Sequence, residues 1–478
     1  MSLQQNQNSK IVITSPQFEL ESYISNYYGR NAVDRLLFIA ERCPSLAVAS
    51  LSLAITRLKQ TQDVTSYQDA VERLHTIEPA IPLSTPDSEW VENISRENRE
   101  QSEKLEQELK RYKNNLLKES IRMGQADLGD FYLAIGELAN ATQSYIRQRE
   151  YCTTHKHVKD LSLDLIRVAV FQQNWPQVES ALARLEQLPN GLNELVPYVN
   201  AIRGIWALAR GQFKSAASLL LDVKVETLVP PKKNASSATP GSSSNYTALT
   251  SSTRGSDLPS ISEFLSTSDV AVIVGLCTLA TYSRDALRDL LDNHAGLKEL
   301  LESESHVRTL LESFVLFDYK AIFDTLEKHK NDYLLDIWLA DHVSRLFAQI
   351  RENCYTQYVK GYKRGYISRM ATRFGVNEQD IERDLVTLIE SNKMSVRIDL
   401  ENKIFVDTDS NERAMVYQQI MSVAKEYEQN AKLLLVNVEI LRGGLEVNPP
   451  AHATAAGKNF FSALPSDMTS ILLDPSRS

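Results

Sequence analysis

The residues that come closest to a catalytic pattern are His155 and His157, with Cys152 shortly before them. A zinc-dependent protease of the JAMM type uses such a His-x-His pair together with an aspartate that follows after ten intervening residues. Val168 occupies that position, so the third protein ligand of a catalytic zinc site is missing. The pattern therefore favours two exposed histidines near the start of a helix over a metal site.

No other arrangement of residues indicates catalysis. Phosphate-binding, dinucleotide-binding, nucleophile-elbow and HExxH zinc motifs are absent from the sequence. No pair of carboxylates stands out as an acid–base couple. Four cysteines, Cys43, Cys152, Cys277 and Cys354, lie far apart without a CxxC motif, which is typical of free buried thiols in a reducing compartment. The sequence predicts no enzymatic activity and no cofactor or metal.

Composition narrows the class of protein. The 478 residues are 43% hydrophobic, enough for two or three domains with packed cores. A net charge of −9 disfavours a globally basic nucleic-acid binder. The N-terminus lacks the apolar segment of a signal peptide, and the longest apolar run, 270–280, is about half of a membrane span. Because Thr267-Ser268-Asp269 supply helix-capping side chains before it, we expect a buried core helix in a soluble intracellular protein.

A repeated unit organises the middle of the chain. Each unit has a turn, then a large apolar residue, then an apolar residue three positions further on, and the first three turns are spaced by 37 and 38 residues. This spacing is close to that of tetratricopeptide-like helical hairpins, which must stack into a solenoid to bury their apolar faces. The units are Gly136-Glu137-Leu138 with Ala141, Gln173-Asn174-Trp175 with Val178, Gly211-Gln212-Phe213 with Ala216, and Phe317-Asp318-Tyr319 with Ile322.

The stretch from Gly361 to Asp407 is typical of a winged helix-turn-helix. In a DNA-binding protein the second helix enters the major groove and needs positive charge. Here that helix is acidic, so it repels phosphate and favours docking to a protein. A basic group on and before the first helix could meet phosphate or an acidic protein surface. The predicted elements are helices 366–374 and 378–391 and hairpin strands 394–400 and 403–407; the acidic residues are Glu378, Asp380, Glu382, Asp384 and Glu390, against Arg383, and the basic group is Lys360, Lys363, Arg364, Arg369 and Arg373.

A long helix is predicted after the winged helix, over 411–442. Its apolar residues recur at steps of three and four, so one stripe stays on one side. The stripe is predicted to pack on partner helices, and packing on the chain's own solenoid is the alternative. Residues 92–122, charged with scattered leucines, predict another long helix that leads into the repeats. The stripe comprises Val416, Ile420, Val423, Tyr427, Ala431, Leu434, Val438 and Leu441.

Helical hairpins, a winged helix and a long terminal helix, in this order, resemble the arrangement of the PCI family over roughly residues 20–445. This family supplies scaffold subunits to the proteasome lid, the COP-nine signalosome and a translation initiation factor. Three segments are similar to the signalosome branch; the proteasome-lid branch shares the Arg-Ile-Asp of the wing but not the first of these segments. The segments are Tyr28-Gly29-Arg30 continued by Arg35 to Pro44, Val396-Arg397-Ile398-Asp399 with Asn402-Lys403-Ile404, and Leu441-Arg442 to Val447-Asn448-Pro449-Pro450.

The resemblance implies a mostly α fold, in which a tetratricopeptide-like solenoid precedes a winged-helix (PCI) module and a long C-terminal helix. The Ser- and Pro-rich stretch 230–260 departs from the family pattern and has the composition of a disordered segment. The predicted organisation is 1–15 disordered, 16–229 helical-repeat solenoid, 230–260 disordered insertion, 261–360 helical repeats of the PCI domain, 361–410 winged helix, 411–442 C-terminal assembly helix and 443–478 flexible tail.

The resemblance also implies a role. The chain would be a non-catalytic scaffold subunit of the signalosome, in cytoplasm and nucleus, supporting removal of the ubiquitin-like modifier from cullins and so regulating cullin-RING ligases. Alternatives are a proteasome-lid subunit and a winged-helix nucleic-acid-binding factor.

The implied partners are cullin-RING ligases and the other signalosome subunits. PCI subunits would bind through winged-helix edges by strand addition. All subunits, including a JAMM metalloprotease, would join a bundle of C-terminal helices; no membrane is involved. One face of the hairpin, including Ile398 and Ile404, should cover the winged-helix core. The predicted interface residues are Met394, Val396, Ile398, Ile404, Val406, Ile420, Val423, Tyr427, Leu434, Val438 and Leu441.

Overall fold

The computed structural model describes residues 18–188, 195–223, 228, 261–407 and 412–444. These fall into two units, a larger one that ends at Asp407 and a smaller one that contains a single long helix. The predictions of disorder at 1–15 and 230–260, and the prediction for the tail beyond Gly444, lie outside the described residues. No helix in the described part of the chain is long and apolar enough to cross a membrane.

The larger unit is almost entirely helical. Its helices are α1 Leu20–Ile24, α2 Gly29–Arg42, α3 Pro44–Leu58, α4 Val64–Ile77, α5 Ser88–Asn114, α6 Lys118–Ile135, α7 Leu138–Gln148, α8 His155–Phe171, α9 Trp175–Glu186, α10 Val196–Ala209, α11 Phe213–Leu221, α12 Thr267–Thr281, α13 Arg284–Asn293, α14 Ala295–Ser303, α15 Ser305–Val315, α16 Tyr319–Leu334, α17 Val343–Lys360, α18 Ile367–Phe374 and α19 Glu378–Glu390. Its strands are β1 Arg364–Tyr366, β2 Val396–Asp399 and β3 Ile404–Asp407, and the smaller unit contains α20, Glu412–Arg442.

The repeated turns predicted from the sequence are the turns of helical hairpins. The first residue of each turn, Gly136, Gln173, Gly211 or Phe317, has a positive φ, of 97°, 54°, 72° and 63° respectively. The left-handed conformation ends one helix and reverses the chain, and the next helix begins two residues later. The apolar residue three positions into each second helix is fully buried, as the prediction requires; these residues are Ala141, Val178, Ala216 and Ile322.

Helix α12 is the buried helix predicted from the apolar run. It packs against α11, α14, α15 and α17, so it has apolar residues on every side. The cap differs in detail from the prediction, because Ser266 is the N-cap residue and Asp269 completes a capping box with it. Since α12 is buried between earlier and later helices, both parts of the chain share one hydrophobic core. The predicted domain boundaries within this unit stay predictions.

The prediction of a single helix over 92–122 was wrong, because the helix ends at Asn114. Helix α5 ends there, Leu116 adopts a left-handed φ of 53°, and α6 begins at Lys118. The break lets α6 fold back on α5, so that Leu109 packs with apolar residues of α6 in a small separate core. The leucines at 105 and 109 were therefore a packing signal within a hairpin.

The winged helix follows the prediction in its helices and differs in its sheet. Three strands pair antiparallel in the order β1-β3-β2, and β1 had not been predicted. The register places Ile398 opposite Phe405 on the face that meets the helices, whereas Ile404 lies on the other face, opposite Asp399. Phe405 is fully buried, and Gly365 faces its ring in β1, where any side chain would overlap it. The prediction that Ile404 shares the core face with Ile398 was therefore wrong.

Candidate assembly surfaces

The two histidines near Cys152 lie at the start of α8, as predicted, but only His155 is exposed and His157 is half-buried. Thr154 caps this helix by accepting a hydrogen bond from the backbone N–H of His157 at 3.3 Å. The His157 Nε2 atom lies 3.8 Å from a carboxylate oxygen of Glu119. Val168 is fully buried. Within the described residues, no three His, Cys, Asp or Glu side chains are grouped so that they could hold a metal ion.

Three of the four cysteines are buried and Cys152 is half-buried, and all four are free thiols. Burial raises the pKa of Cys277 and of Cys354 well above the ordinary value of a thiol. Because the thiolate is the reactive form, these two side chains are kept in their unreactive form. Their environment is that of structural core residues.

The acidic second helix of the winged helix, α19, is partly neutralised by the chain itself. Lys403, in the wing, lies 3.1 Å from Glu378 and 3.6 Å from Glu382. The hydrogen bond to Glu378 raises the pKa of Lys403, so the lysine stays charged. Arg351 of α17 lies 3.5 Å from Asp384. These ion pairs connect the wing and α17 to α19. The surface of α19 still carries carboxylates, so its charge does not complement the phosphates that line a major groove of DNA.

The basic group lies on β1 and α18 and in the residues just before them. The guanidinium of Arg369 lies 5.7 Å from the centre of the Tyr366 ring, which is itself half exposed. The winged helix thus carries acidic residues on α19 and basic residues on β1 and α18, and charged elements of this kind suit protein surfaces of complementary charge. The exposed basic residues are Lys360, Lys363, Arg364, Arg369 and Arg373.

The sheet has two edges that could accept another strand. Because β3 pairs with both β1 and β2, its backbone groups are satisfied on both sides. Strands β1 and β2 each pair on one side only among the described residues. The outer side of β2 therefore presents main-chain donors and acceptors for strand addition.

The predicted interface side chains of the hairpin divide into two groups. Met394 and Val396 are buried, and Ile398 is half-buried against the same core, so their apolar surface is used within the chain. Ile404 and Val406 are half-buried on the outer face of the sheet. Of the five hairpin residues, these last two offer side chains to a partner most directly. That all five lie in an interface stays a prediction.

Helix α20 presents the predicted apolar stripe as exposed surface. Among the larger apolar side chains of the stripe that the structure describes, the exposed fraction runs from 46% for Leu434 to 73% for Tyr427. The side chain of Leu441 lies outside the described part of the chain. Ala431, which also belongs to the stripe, is half-buried, and the exposed members are Val416, Ile420, Val423, Tyr427, Leu434 and Val438.

Further exposed apolar residues of α20 were missed by the stripe. In the last turns of α20 they could have been found from the run of five apolar residues between Leu433 and Val438, which is interrupted only by Asn437. A run of this kind places apolar groups around the whole circumference of a helix, because successive residues turn by about 100°. The missed residues are Tyr417, Met421, Leu433, Leu435 and Val436, all at least 42% exposed.

Two family matches cover different parts of the chain. Residues 326–409 match the PCI domain family, which agrees with the winged helix and the helices before it. Residues 87–233 match the family described as 26S proteasome subunit RPN7. The RPN7 match covers the helical hairpins from α5 to α11, and the PCI match covers the winged helix.

The relatives that align with most of the chain favour the signalosome branch over the proteasome-lid branch. The COP9 signalosome complex subunit 1 of Emericella nidulans is 34% identical, over 91% of this chain and 84% of its own length. The subunit of that name from Arabidopsis thaliana is 30% identical, over 91% and 92%. The 26S proteasome non-ATPase regulatory subunit 6 of Dictyostelium discoideum is 21% identical, over 79% and 93%. The chain belongs to the family of COP9 signalosome complex subunit 1.

Proposed function

We propose that the chain is a scaffold subunit of the COP9 signalosome and supports, without catalysing it, the removal of the ubiquitin-like modifier from cullins. The observation that carries this proposal is α20, a helix of 31 residues whose apolar side chains are exposed. Exposed apolar surface of this extent is typical of a docking surface. A JAMM metalloprotease subunit supplies the chemistry, and cullin-RING ligases in cytoplasm and nucleus are the assembly's targets.

The pattern of α20 specifies helical partners. The first part of the helix has one broad apolar side, which Tyr417 and Met421 extend beyond the stripe, and polar residues such as Ser422 and Gln429 lie opposite. In its last turns a second stripe, Leu433, Val436 and Ile440, appears on that opposite side at steps of three and four. Such steps match the packing of one helix on another. We infer that one partner helix covers the first part of α20, and that helices enclose its last turns from two sides.

The winged helix supplies the second contact. A PCI subunit that adds a strand to the outer side of β2 would satisfy the backbone groups of that edge. The neighbouring charges would then select the partner, because α19 is acidic and the surface around β1 is basic. Strand addition gives affinity through the main chain, and the charges discriminate among subunits with similar folds.

Truncation of the C-terminal helix tests the proposal. Two forms of the chain are co-expressed with signalosome subunits, one lacking 411–478 and one lacking only 443–478. We expect the first to lose its partners while its remaining helices stay folded, because the larger unit has its own core. The second retains α20 and should co-purify with its partners. If the first form also retains every partner, α20 is not an assembly element and the proposal fails.

A further inference from the structure

A fully buried arginine, Arg35, joins three parts of the chain that lie far apart in sequence. Its guanidinium donates a hydrogen bond to the Asp269 carboxylate at 2.8 Å and another to the Asp336 carboxylate at 3.1 Å. It also donates to the hydroxyl of Tyr23 at 2.6 Å. The centre of the Tyr27 ring lies 4.0 Å from the guanidinium carbon, within the range of a cation–π contact.

Both carboxylates are held in place by other groups. Asp269 closes the capping box of α12 with Ser266, and its Oδ1 atom accepts a hydrogen bond from the Tyr27 hydroxyl at 2.5 Å. The Oδ1 atom of Asp336 accepts from backbone N–H groups two and three residues further on, at 2.7 and 3.2 Å, so Oδ2 faces Arg35. Neither acid can turn away without losing these bonds, so the guanidinium meets two fixed acceptors.

A second bridge runs beside the arginine. The backbone carbonyl of Phe264 accepts a hydrogen bond from the Asn31 side chain at 3.1 Å and one from the Trp338 indole at 3.4 Å. This carbonyl precedes α12, Asn31 is on α2, and Trp338 lies in the segment before α17. The same three parts of the chain therefore meet twice within a small region.

The energetics of burial explain what such a cluster does. A buried charge is tolerated only where it is paired and hydrogen-bonded, and apolar residues of similar volume would be at least as stable. What the ions add is selectivity, because a guanidinium placed away from its two carboxylates leaves every one of these charges uncompensated. Only one placement of α2 against α12 satisfies all of them.

We propose that the segment Tyr28 to Pro44 serves as an internal clasp, in which Arg35 fixes the N-terminal helices against α12 and the segment before α17. In this account the segment Tyr28 to Pro44, which is similar to the signalosome branch, positions the N-terminal helices relative to the later helices of the same unit. Its central residue, Arg35, acts within the chain and contacts no partner subunit. The inference goes beyond the proposed function and does not rest on it, since it concerns contacts within the larger unit.

An exposed ion pair between the same two regions supplies the matched control. Arg42, seven residues after Arg35 on α2, lies 3.2 Å from Asp341, in the segment before α17. The Asp341 side chain is 68% exposed, so water competes with this pair and little stability is expected from it. Arg35→Met and Arg42→Met each remove one arginine of α2 that binds an aspartate of that segment, and they differ in burial.

Hydrogen–deuterium exchange of the purified full-length chain measures the clasp. We expect Arg35→Met to raise the exchange rate of α2 and of the first turn of α12 by a factor of about ten or more. The winged helix, 364–407, should exchange as in the unchanged protein, and Arg42→Met should alter no region. Unchanged protection of α2 in Arg35→Met, or an equal loss across the chain including the winged helix, would overturn the proposal.

Two further variants keep the test decisive if Arg35→Met does not fold. Tyr27→Phe removes only the hydroxyl bonded to Asp269, and a smaller rise in exchange confined to α2 and α12 is expected. Arg35→Met combined with Asp336→Asn removes one of the carboxylates left without a counter-charge, so the double variant should be more protected in α2 than Arg35→Met, or should fold where Arg35→Met does not. Exchange in Tyr27→Phe identical to the unchanged protein, or no recovery in the double variant, would refute the clasp.

Discussion

Phe405 is the residue that fixes the winged-helix sheet against its helices. Its ring is fully buried, lies 6.3 Å from the ring of Tyr358 between centroids, and faces Gly365 across the sheet. Neighbours of Phe405 in β3, Ile404 and Val406, lie on the other face because side chains alternate along a strand. A single residue thus decides which side of the hairpin belongs to the core and which is available to a partner.

Substitutions on the two faces should have different consequences. Ile398→Asp places a charge against the core and should lower the free energy of unfolding by about 2–4 kcal/mol. Ile404→Asp, on the outer face, should leave that energy within about 0.5 kcal/mol and still reduce co-purification of PCI subunits. Urea unfolding and a pull-down measure the two effects. Equal destabilisation by both changes would contradict the register, and unimpaired co-purification of Ile404→Asp would remove Ile404 from the interface.

The cluster around Arg35 also predicts a dependence of stability on pH. Burial raises the pKa of Asp269 above the ordinary value of an aspartate, although Arg35 opposes the shift. Because the folded chain binds this proton more tightly, its contribution to stability is complete below about pH 4 and is lost as pH rises from there through the raised pKa. One carboxyl gives a slope of at most about 1.4 kcal/mol per pH unit.

Asp269→Asn tests this dependence, since asparagine keeps an acceptor for Tyr27 and does not titrate. We expect urea unfolding between pH 5 and 8 to show a smaller decline of stability in Asp269→Asn than in the unchanged protein. Asp341→Asn, which alters an exposed carboxylate, should retain the full decline. Parallel curves for the unchanged protein and Asp269→Asn would show that this carboxyl does not titrate in that range.

At the scale of elements, the sequence predicted those features that local chemistry decides. The turns at Gly136, Gln173, Gly211 and Phe317, each followed by a new helix, could be predicted. In every unit the turn residue, the large apolar residue and the buried residue stand at the same offsets from one another. The buried helix α12 followed from an apolar run too short for a membrane. These signals lie within a few residues of one another, so no knowledge of distant contacts is needed.

Features that depend on distant contacts could not be predicted. Strand β1 has three residues and exists because Arg364, Gly365 and Tyr366 pair with β3, some forty residues later. The break after α5 depends on α6 folding back upon it. The role of Arg35 requires partners 234 and 301 residues away, which no local pattern in α2 indicates. Periodicity located the stripe of α20, and it missed the second stripe because a single amphipathic face was assumed.

The second stripe of α20 gives a prediction with a control on the same side of the helix. Val436→Asp should reduce co-purification of partner subunits at least tenfold, because it places a charge between helices that enclose the last turns. Gln429→Asp lies seven residues earlier, two turns along the same side, where we place no partner. It should leave co-purification unchanged. Equal retention of partners by both variants would show that the last turns are covered on one side only.

At the scale of the whole molecule, the larger unit and the long helix α20 have different tasks in the proposed scaffold role. The main core of the larger unit extends from α1 to the winged helix, and the proposed Arg35 clasp lies beside it; together they hold these helices and the winged helix in fixed positions. The surfaces offered to partners are an open sheet edge, the acidic helix α19 and the basic residues on β1 and α18, and the apolar sides of α20. Such surfaces suit a protein that positions other subunits and leaves the chemistry to them.

Purification of the tagged chain from its own cells, followed by mass spectrometry of the proteins that accompany it, tests the central claim most directly. The account predicts signalosome subunits, among them a JAMM metalloprotease, together with cullins. Proteasome base and lid proteins in their place would assign the chain to the other machine of this architecture. A chain that purifies alone, or with nucleic acid whose binding weakens as salt rises, would contradict the scaffold role.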